Sequence, residues 1–411
     1  MKILFINQFF WPDSSATSQQ LTDLATGLAE RGNHVTVLCG EGGYANVSAG
    51  AVAPPVDVIR VKALPFSKNK ITRLMSYLSF YVSAFASGLT APKADVVVSL
   101  TTPPLISLLG TAIKMLRGSR HFIWEQDIYP DVAIDLNYIQ KGGVADRATG
   151  VLADFSRKHA DGIIALGECM KQRLVQRGIP ADNISIAENW SSAESITPME
   201  RPGDPNQLVL LYSGNLGLAH DVDTIAGAMK NLRADSRFRF LFVGSGVKRK
   251  QLQDFSEAND IGSLEMRGYV SRDKLSEGLA VGDIGLVTQS NVCLGTVVPS
   301  KVYGILAAGR PVLFIGPKVA TPALVIDRHA CGWHVEPGDV EGLTQLLVHL
   351  AENPQLVREA GVRARQALLD HYDLPQSIDR IAAILDARTN RPKGAPSDRI
   401  EADSVAGSLT V

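Results

Sequence analysis

Apolar and polar positions alternate in blocks along the chain, and block length separates strands from helices. Met1–Ile6 is a continuous apolar run of strand length. Leu21, Leu24, Ala25 and Leu28 recur at helical spacing within Ser18–Arg31, and Gly32 stands where that helix should stop. His34–Cys39 reads as the next strand. Apolar runs at Val96–Leu100, His121–Trp124 and Gly162–Leu166 follow, each with helical pattern nearby. Residues 191–207 break the series: they are polar, carry Pro198, Pro202 and Pro205, and show no period, as expected of a linker. A second series then begins. Leu208–Tyr212, Phe238–Val243, Ile284–Val287 and Pro311–Ile315 read as strands, with helical stretches near 221–234, 248–258, 300–308 and 339–352. Residues 355–388 are helical by pattern, and 390–411 are polar. Short strands separated by helices predict parallel, doubly wound sheets covered on both faces. Two such series predict an α/β protein of two Rossmann-like domains facing a cleft, with ligands beyond the carboxyl ends of the strands.

Composition narrows the function. The 411 residues allow two or three domains, and a formal net charge of −1 argues against a nucleic-acid binder. Cys39, Cys169, Cys293 and Cys331 lie far apart, which fits a reducing compartment and excludes the common zinc and redox spacings. The start MKILFINQFFWPD reads as a strand rather than a signal peptide, and no run is apolar enough for a spanning helix. The net charge hides one asymmetry. Between Asp57 and Glu125 only Asp95 is acidic, against Arg60, Lys62, Lys68, Lys70, Arg73, Lys93, Lys114, Arg117 and Arg120. In the same span Ile71, Leu74, Met75, Leu78, Val82, Phe85 and Leu89 recur at helical spacing, beside Tyr77, Phe80 and Tyr81. A basic helix with aromatic residues suits an anionic membrane surface, although a stripe buried against a sheet has the same spacing.

Several strand-to-loop junctions carry candidate chemistry. Ser14, Ser15, Ala16 and Thr17 form a small-residue loop that leaves a helix N-terminus open to an anion, unless Thr17 or Ser18 simply caps it. In YSGNLGL, Gly214 and Gly217 allow close backbone approach of a diphosphate, with Asn215 and His220 as side-chain donors. FVGSG, around Gly244, is half of a dinucleotide fingerprint; residue 249 is Arg where a third glycine would stand, which disfavours a nicotinamide enzyme. In VVPSKVYGILAAGRPV, Pro299 can begin a helix, with Ser300 and Lys301 in its first turn. A cation there opposes the helix dipole unless it faces an anion, so Lys301 is a candidate phosphate ligand. A surface lysine remains the plain alternative.

Taken together, NQFFWPDSSATSQQL, EQDIYPD, ENW, YSGNLG, FVGSG, RGYVSRDKL, VPSKVYGILAAGRPV and GWHVEPGD resemble the family 4 glycosyltransferases of the two-domain GT-B fold, over residues 1–388. The nearest likeness is to the branch that builds bacterial colanic acid and O-antigen. The resemblance implies retaining, metal-independent transfer of a sugar from a nucleotide-sugar donor, UDP- or GDP-linked, with no other cofactor. It implies a probe-able set of roles: Gly214, Asn215 and Leu216 along the diphosphate, Lys301 offsetting its charge, Tyr269 and Val270 holding the base, and Pro299 and Ser300 near the donor. Ser14–Thr17 would face the transferred sugar, and Asp127 would orient or deprotonate the acceptor hydroxyl, with Glu125 a second candidate. The acceptor would be lipid-linked or a saccharide, at the inner face of the cytoplasmic membrane. The domains would run 1–190, linker 191–207 and 208–372, with a helix at 373–389 returning to the first domain and a disordered tail at 390–411.

The chain departs from the family pattern at telling places. The family's two glutamates, spaced eight apart, fall at Thr296 and Gly304, and its usual Arg and Lys at Asn215 and His220. Gln126 stands where many relatives carry histidine. Two further readings therefore stay open: a GT-B nucleotide-sugar epimerase, and a non-catalytic module that binds sugar nucleotides or membranes.

Overall fold

The computed structural model describes residues 1–13, 15–41, 53–64, 70–271 and 274–389. Ser14, Lys68 and the expected tail at 390–411 lie outside the described residues. Two parallel sheets form the chain. The first comprises β1 (Lys2–Ile6), β2 (His34–Gly40), β3 (Asp57–Val61), β4 (Val96–Ser99), β5 (Arg120–Trp124), β6 (Gly162–Ala165) and β7 (Ile184–Ile186), in the order β3-β2-β1-β4-β5-β6-β7. The second comprises β8 (Leu208–Ser213), β9 (Phe238–Val243), β10 (Leu264–Arg267), β11 (Ile284–Thr288), β12 (Val312–Ile315) and β13 (Gly332–Val335), in the order β10-β9-β8-β11-β12-β13. Both orders reverse beside the first strand of the sheet, between β1 and β4 and between β8 and β11. At such switch points the loops part and leave a crevice at the strand carboxyl ends.

Four strands fall outside the expected set: β3, β7, β10 and β13. Each is an edge strand, partly exposed and interrupted by polar side chains such as Asp57, Arg60, Glu265 and Arg267. Edge strands lack the continuous apolar run that burial on both faces imposes. Two helix starts also differ from expectation. The first helix begins at Ala16 with Ser15 in the capping position, so neither Thr17 nor Ser18 caps it. The short helix Lys301–Ala307 has Ser300 in the capping position, which leaves Pro299 outside and makes Lys301 its first residue.

The linker is irregular, yet it is pinned. Ile196 is buried, and the Arg365 guanidinium donates to the carbonyls of Ala193, Ile196 and Ala307. The residues 355–388, helical by pattern, form two helices, Pro354–Ala367 and Leu374–Thr389, separated by a wide turn at Leu368–Tyr372, and the second is the helix expected at 373–389. There the chain crosses to the first sheet. The Ser191 amide donates to the Tyr372 carbonyl at 3.2 Å, and the Leu374 amide donates back to Ser191 at 3.0 Å. The two chain crossings are thus bonded to each other.

Helix Leu374–Thr389 then completes the first sheet's core. Ile378, Ile381 and Leu385 pack with Leu21, Leu24 and Leu28 of helix Ala16–Glu30. Gly27 admits this contact, since a Cβ there would meet Ile378 Cδ1 at 2.1 Å. Arg388 ties the far end to the Asp161 carbonyl and the Asn183 side chain. Leu385→Ala should therefore lower stability by about 2–5 kcal/mol, the usual cost of such a core truncation. The midpoint of the earliest transition in urea reads this; a shift worth under about 1 kcal/mol would show that the helix is not part of that core.

Candidate active site

Two glycine turns at the carboxyl ends of β8 and β9 interlock. The Gly214 amide donates to the Val243 carbonyl at 2.8 Å, and the Leu216 amide to Ser245 at 2.7 Å. Gly214, Gly244 and Gly246 have φ of 137°, 128° and 132°. A Cβ on Gly244 would meet the Gly214 carbonyl oxygen at 2.1 Å, and one on Gly246 the Leu216 oxygen at 2.3 Å. The turns need glycine because each occupies the other's side-chain space. This changes the expected roles. The Leu216 amide is already spent and its side chain is buried, so Leu216 is scaffold. Asn215 remains exposed at the tip of the turn.

His220 is scaffold as well. Its Nδ1 lies 2.8 Å from the Thr288 carbonyl oxygen and its Nε2 3.2 Å from the Tyr212 hydroxyl. Burial, then the charge of Lys301, pushes its pKa down to about 3, so the ring is neutral at pH 7. Both ring nitrogens are engaged within the fold, so His220 is not the side-chain donor to a diphosphate that the sequence suggests. Lys248, which the sequence reading passed over, stands beside it, with Nζ 2.6 Å from the His220 carbonyl oxygen. A lysine at the start of the helix after FVGSG was the available signal.

Lys301 is the outstanding group. Its stem fills the space over Gly214, where a Cβ would meet Lys301 Cε at 2.5 Å. Its Nζ sits 5.2 Å from the centroid of the Tyr212 ring. No carboxylate pairs with it among the described residues, and burial pushes its pKa down to about 8. A surface lysine is excluded. Beside it a cavity of about 130 Å³ opens between the sheet and the helices Leu275–Ala280 and Lys301–Ala307. Tyr269 and Val270 are largely exposed nearby; Ser245 donates to the Tyr269 hydroxyl at 3.1 Å, and Val270 lies against Gly278 of helix Leu275–Ala280. Pro299 and Ser300 are half-buried, and Ser300 makes no capping hydrogen bond with its side chain.

Across the cleft, Asp127 pairs through its backbone with Val297, and the Ile128 amide donates to the Thr296 carbonyl at 2.9 Å. Segment 296–301 therefore touches Asp127 at one end and carries Lys301 at the other. Asp127 is half-buried, and burial, then the neighbouring Glu125, raises its carboxyl to about 6. Glu125 itself is committed to Arg157, at 2.7 Å in a buried ion pair. Thr296 is fully buried, with its hydroxyl donating to the Cys293 carbonyl at 3.2 Å. At Gly304 a Cβ would meet nothing within 4 Å. So of the two positions lacking an acid, one is sealed into the seam and the other opens the cavity. On the first domain's side, the Ser15 hydroxyl lacks a partner, Ala16 is exposed and Thr17 half-buried. Asn7 and Gln8, at the end of β1, are buried with side-chain oxygens unpartnered; the sequence reading missed them, although their place after an apolar strand marked them.

Comparison with known proteins follows this geometry. Residues 15–190 match the glycosyl transferase 4-like domain, and residues 198–367 match glycosyl transferases group 1. The chain is 24% identical over 342 residues to "Probable glycosyltransferase WbjE" of Pseudomonas aeruginosa, covering 81% of this chain and 85% of that one. It is 26% identical over 338 residues to "Putative colanic acid biosynthesis glycosyl transferase WcaI" of Escherichia coli (strain K12), covering 75% and 82%. Among solved structures, the sucrose-phosphate synthase of Thermosynechococcus elongatus superposes with a TM-score of 0.76 at 14% identity, over 94% of this chain and 98% of that one.

Lys301's isolation has a measurable consequence for the empty protein. Its charged form is disfavoured on folding, so the penalty is full below pH 8 and fades as pH rises from 8 towards 10.5. Lys301→Met should melt at or above the wild-type temperature at pH 7, with the gap closing above pH 8. A Met variant that melts well below wild type at pH 7 would mean that the charge is paired after all.

Proposed function

With a glycosyl transferase 4-like domain followed by a group 1 domain, the chain belongs to the glycosyltransferases, and we propose that it builds a bacterial surface polysaccharide or glycolipid by retaining transfer from a nucleotide sugar to a lipid-linked acceptor. The observation that carries the donor side is Lys301, a half-buried cation with no acid paired to it among the described residues, at the carboxyl ends of β8 and β11. A UDP- or GDP-sugar diphosphate supplies the missing anion, and bound there it stabilises the lysine's charged form. Asn215 and Ser300 approach the diphosphate, and Tyr269 and Val270 the base. On the acceptor side, Asp127 holds the attacking hydroxyl, and the Ser15–Thr17 loop faces the sugar.

In the proposed reaction the acceptor oxygen forms its bond to the anomeric carbon on the face from which the diphosphate leaves. The carbon–diphosphate bond breaks, and the hydroxyl proton passes to a leaving diphosphate oxygen. Lys301 stabilises the charge that develops on that oxygen, so no metal is required. Preorganised charge of this kind supplies a large share of such rate enhancements.

The lipid side of the reading rests on the face of helix Lys70–Thr90. Leu74, Leu78, Val82 and Phe85 point outward at 40–67% exposure, whereas Ser76, Phe80 and Ala84 face the sheet. The stripe is therefore not the one that packs on the core. Neighbouring helices extend it with Met115 and Leu116, and with Val151 and Phe155. Its charge is weaker than the sequence indicates, since Lys114 and Arg120 both pair with Asp161. No helix among the described residues is long and apolar enough to cross a membrane.

Two measurements test the reading. Lys301→Ala should lower kcat by at least about 100-fold in a folded protein. Wild-type kcat/KM should fall as pH drops below about 6, where Asp127 takes up its proton, and Asp127→Asn should lose that limb along with most of the activity. Unchanged turnover in folded Lys301→Ala would remove the diphosphate assignment. For the membrane face, Leu78→Glu with Val82→Glu should abolish sedimentation with vesicles, while added salt weakens wild-type binding only modestly. Equal sedimentation of the double variant would discard that face as the contact.

A further inference from the structure

The loop that carries Asp127 is held at both ends by one side chain. Residues 125–129 leave the carboxyl end of β5, with Asp127 at their midpoint. Arg157 stands in the last turn of helix Val144–His159. Its Nε donates to Glu125 Oε1 at 2.7 Å, and its Nη2 donates to the Tyr129 carbonyl at 3.0 Å. The planar guanidinium thus spans the loop from its first residue to its last, a fork that a lysine ammonium does not have. The Glu125 amide adds a bond to the Ile164 carbonyl of β6 at 2.9 Å. These anchors belong to the first domain, whereas the backbone pairs at Asp127 and Ile128 reach the other one.

Stability alone does not account for the ion pair. Arg157 and Glu125 are both buried, and a buried pair often adds little over apolar residues of the same volume. Glu125 and Asp127 also line one cavity of about 20 Å³, together with Thr101, Tyr129 and Arg157. That is room for about one water molecule, so little solvent screens one carboxylate from the other. Acids on the neighbouring helices are occupied elsewhere: Asp131, Asp135 and Asp154 pair with Arg173 or Arg177. On the facing segment, burial pushes the Cys293 thiol up to about 11, so it stays neutral, and Lys301 stands at the far end.

We propose that Arg157 is a positioning residue for the acceptor hydroxyl: it fixes the loop that presents Asp127 and holds Glu125 beside it as a permanent negative charge. The inference rests on the reading above that Asp127 holds the attacking hydroxyl. Fixed loop ends matter because a small displacement of a catalytic group costs rate steeply. The fixed charge matters because a like charge raises the Asp127 carboxyl, and a more basic carboxylate accepts a stronger hydrogen bond from the hydroxyl.

The test uses the full chain and the transfer assay in which Asp127→Asn is compared with wild type. Glu125→Gln keeps an oxygen for Arg157 but removes the charge. Its acid limb in kcat/KM should move to lower pH by at least about half a unit, because Asp127 then ionises more easily. Arg157→Lys keeps the charge but loses the fork. It should lower kcat by at least about tenfold, while the dissociation constant for UDP or GDP, whichever binds wild type more tightly, stays within about threefold. A limb in Glu125→Gln that stays in place or moves upward would overturn the proposal, as would wild-type turnover in Arg157→Lys. Should Arg157→Lys lose the nucleotide as well, it has lost its fold, and the Glu125→Gln limb decides alone. Wild-type activity and an unmoved limb in Asp127→Asn would instead remove the reading beneath, a separate result.

Discussion

Where the two sheets meet end to end, main chain meets main chain. Asp127 pairs with Val297, and the Ile128 amide bonds to Thr296. Backbone groups buried in such a seam have to find partners, and here they find them across the cleft. Much else follows. A side chain at 296 has to fit a closed space, which a buried threonine does and a charged glutamate would not. Asp127 is held at the seam and loses water, which pushes its carboxyl up to about 6. The chain leaving Val297 turns at once into the helix that opens with Lys301. Asp127 is thus held against one end of a short segment whose other end carries Lys301.

Strands buried on both faces were legible in the sequence because burial writes a continuous apolar run. β1, β2, β4, β5 and β6 of the first sheet, and β8, β9, β11 and β12 of the second, all read that way. The unread strands are the edges, where one side meets water and the chain mixes polar with apolar residues. The site was legible in part. The isolation of Lys301 follows from a cation at a helix start, a local pattern. The roles of Leu216 and His220 did not follow, since Ser245 and Thr288, which occupy them, are distant in sequence. The glycines of the two turns were visible, yet their cause was not: each is required by the other turn rather than by a ligand alone. Likewise, helical spacing identified the stripe at Leu74–Phe85 but could not say which face of the helix the sheet takes.

The charges within the second domain divide into two kinds. Asp283 is consumed by fold, accepting from the Val209 amide and pairing with Arg201. Glu265 is likewise held between Arg239 and Arg267. Lys301 is not consumed at all. A half-buried cation that has lost much of its water and has no counter-ion costs free energy that a folded protein must recover elsewhere. Its surroundings are suited to that cost: a neutral histidine instead of a charged one, and the face of Tyr212 as a weak substitute anion. Phosphate binding then relieves a stress already present in the fold.

The paired crossings at Ser191 and Tyr372–Leu374 have a mechanical meaning. One covalent strand between two bodies is a swivel, free to twist and bend about every axis. Two strands laced together by reciprocal amide bonds behave as a strap hinge: rotation about the line through both survives, while twist would tear the lacing. Helix Leu374–Thr389 anchors the second strap in the first core, so the strap cannot slide. Any separation of the two sheets has to break the backbone pairs at Asp127–Val297 and Ile128–Thr296 while the two crossings stay laced.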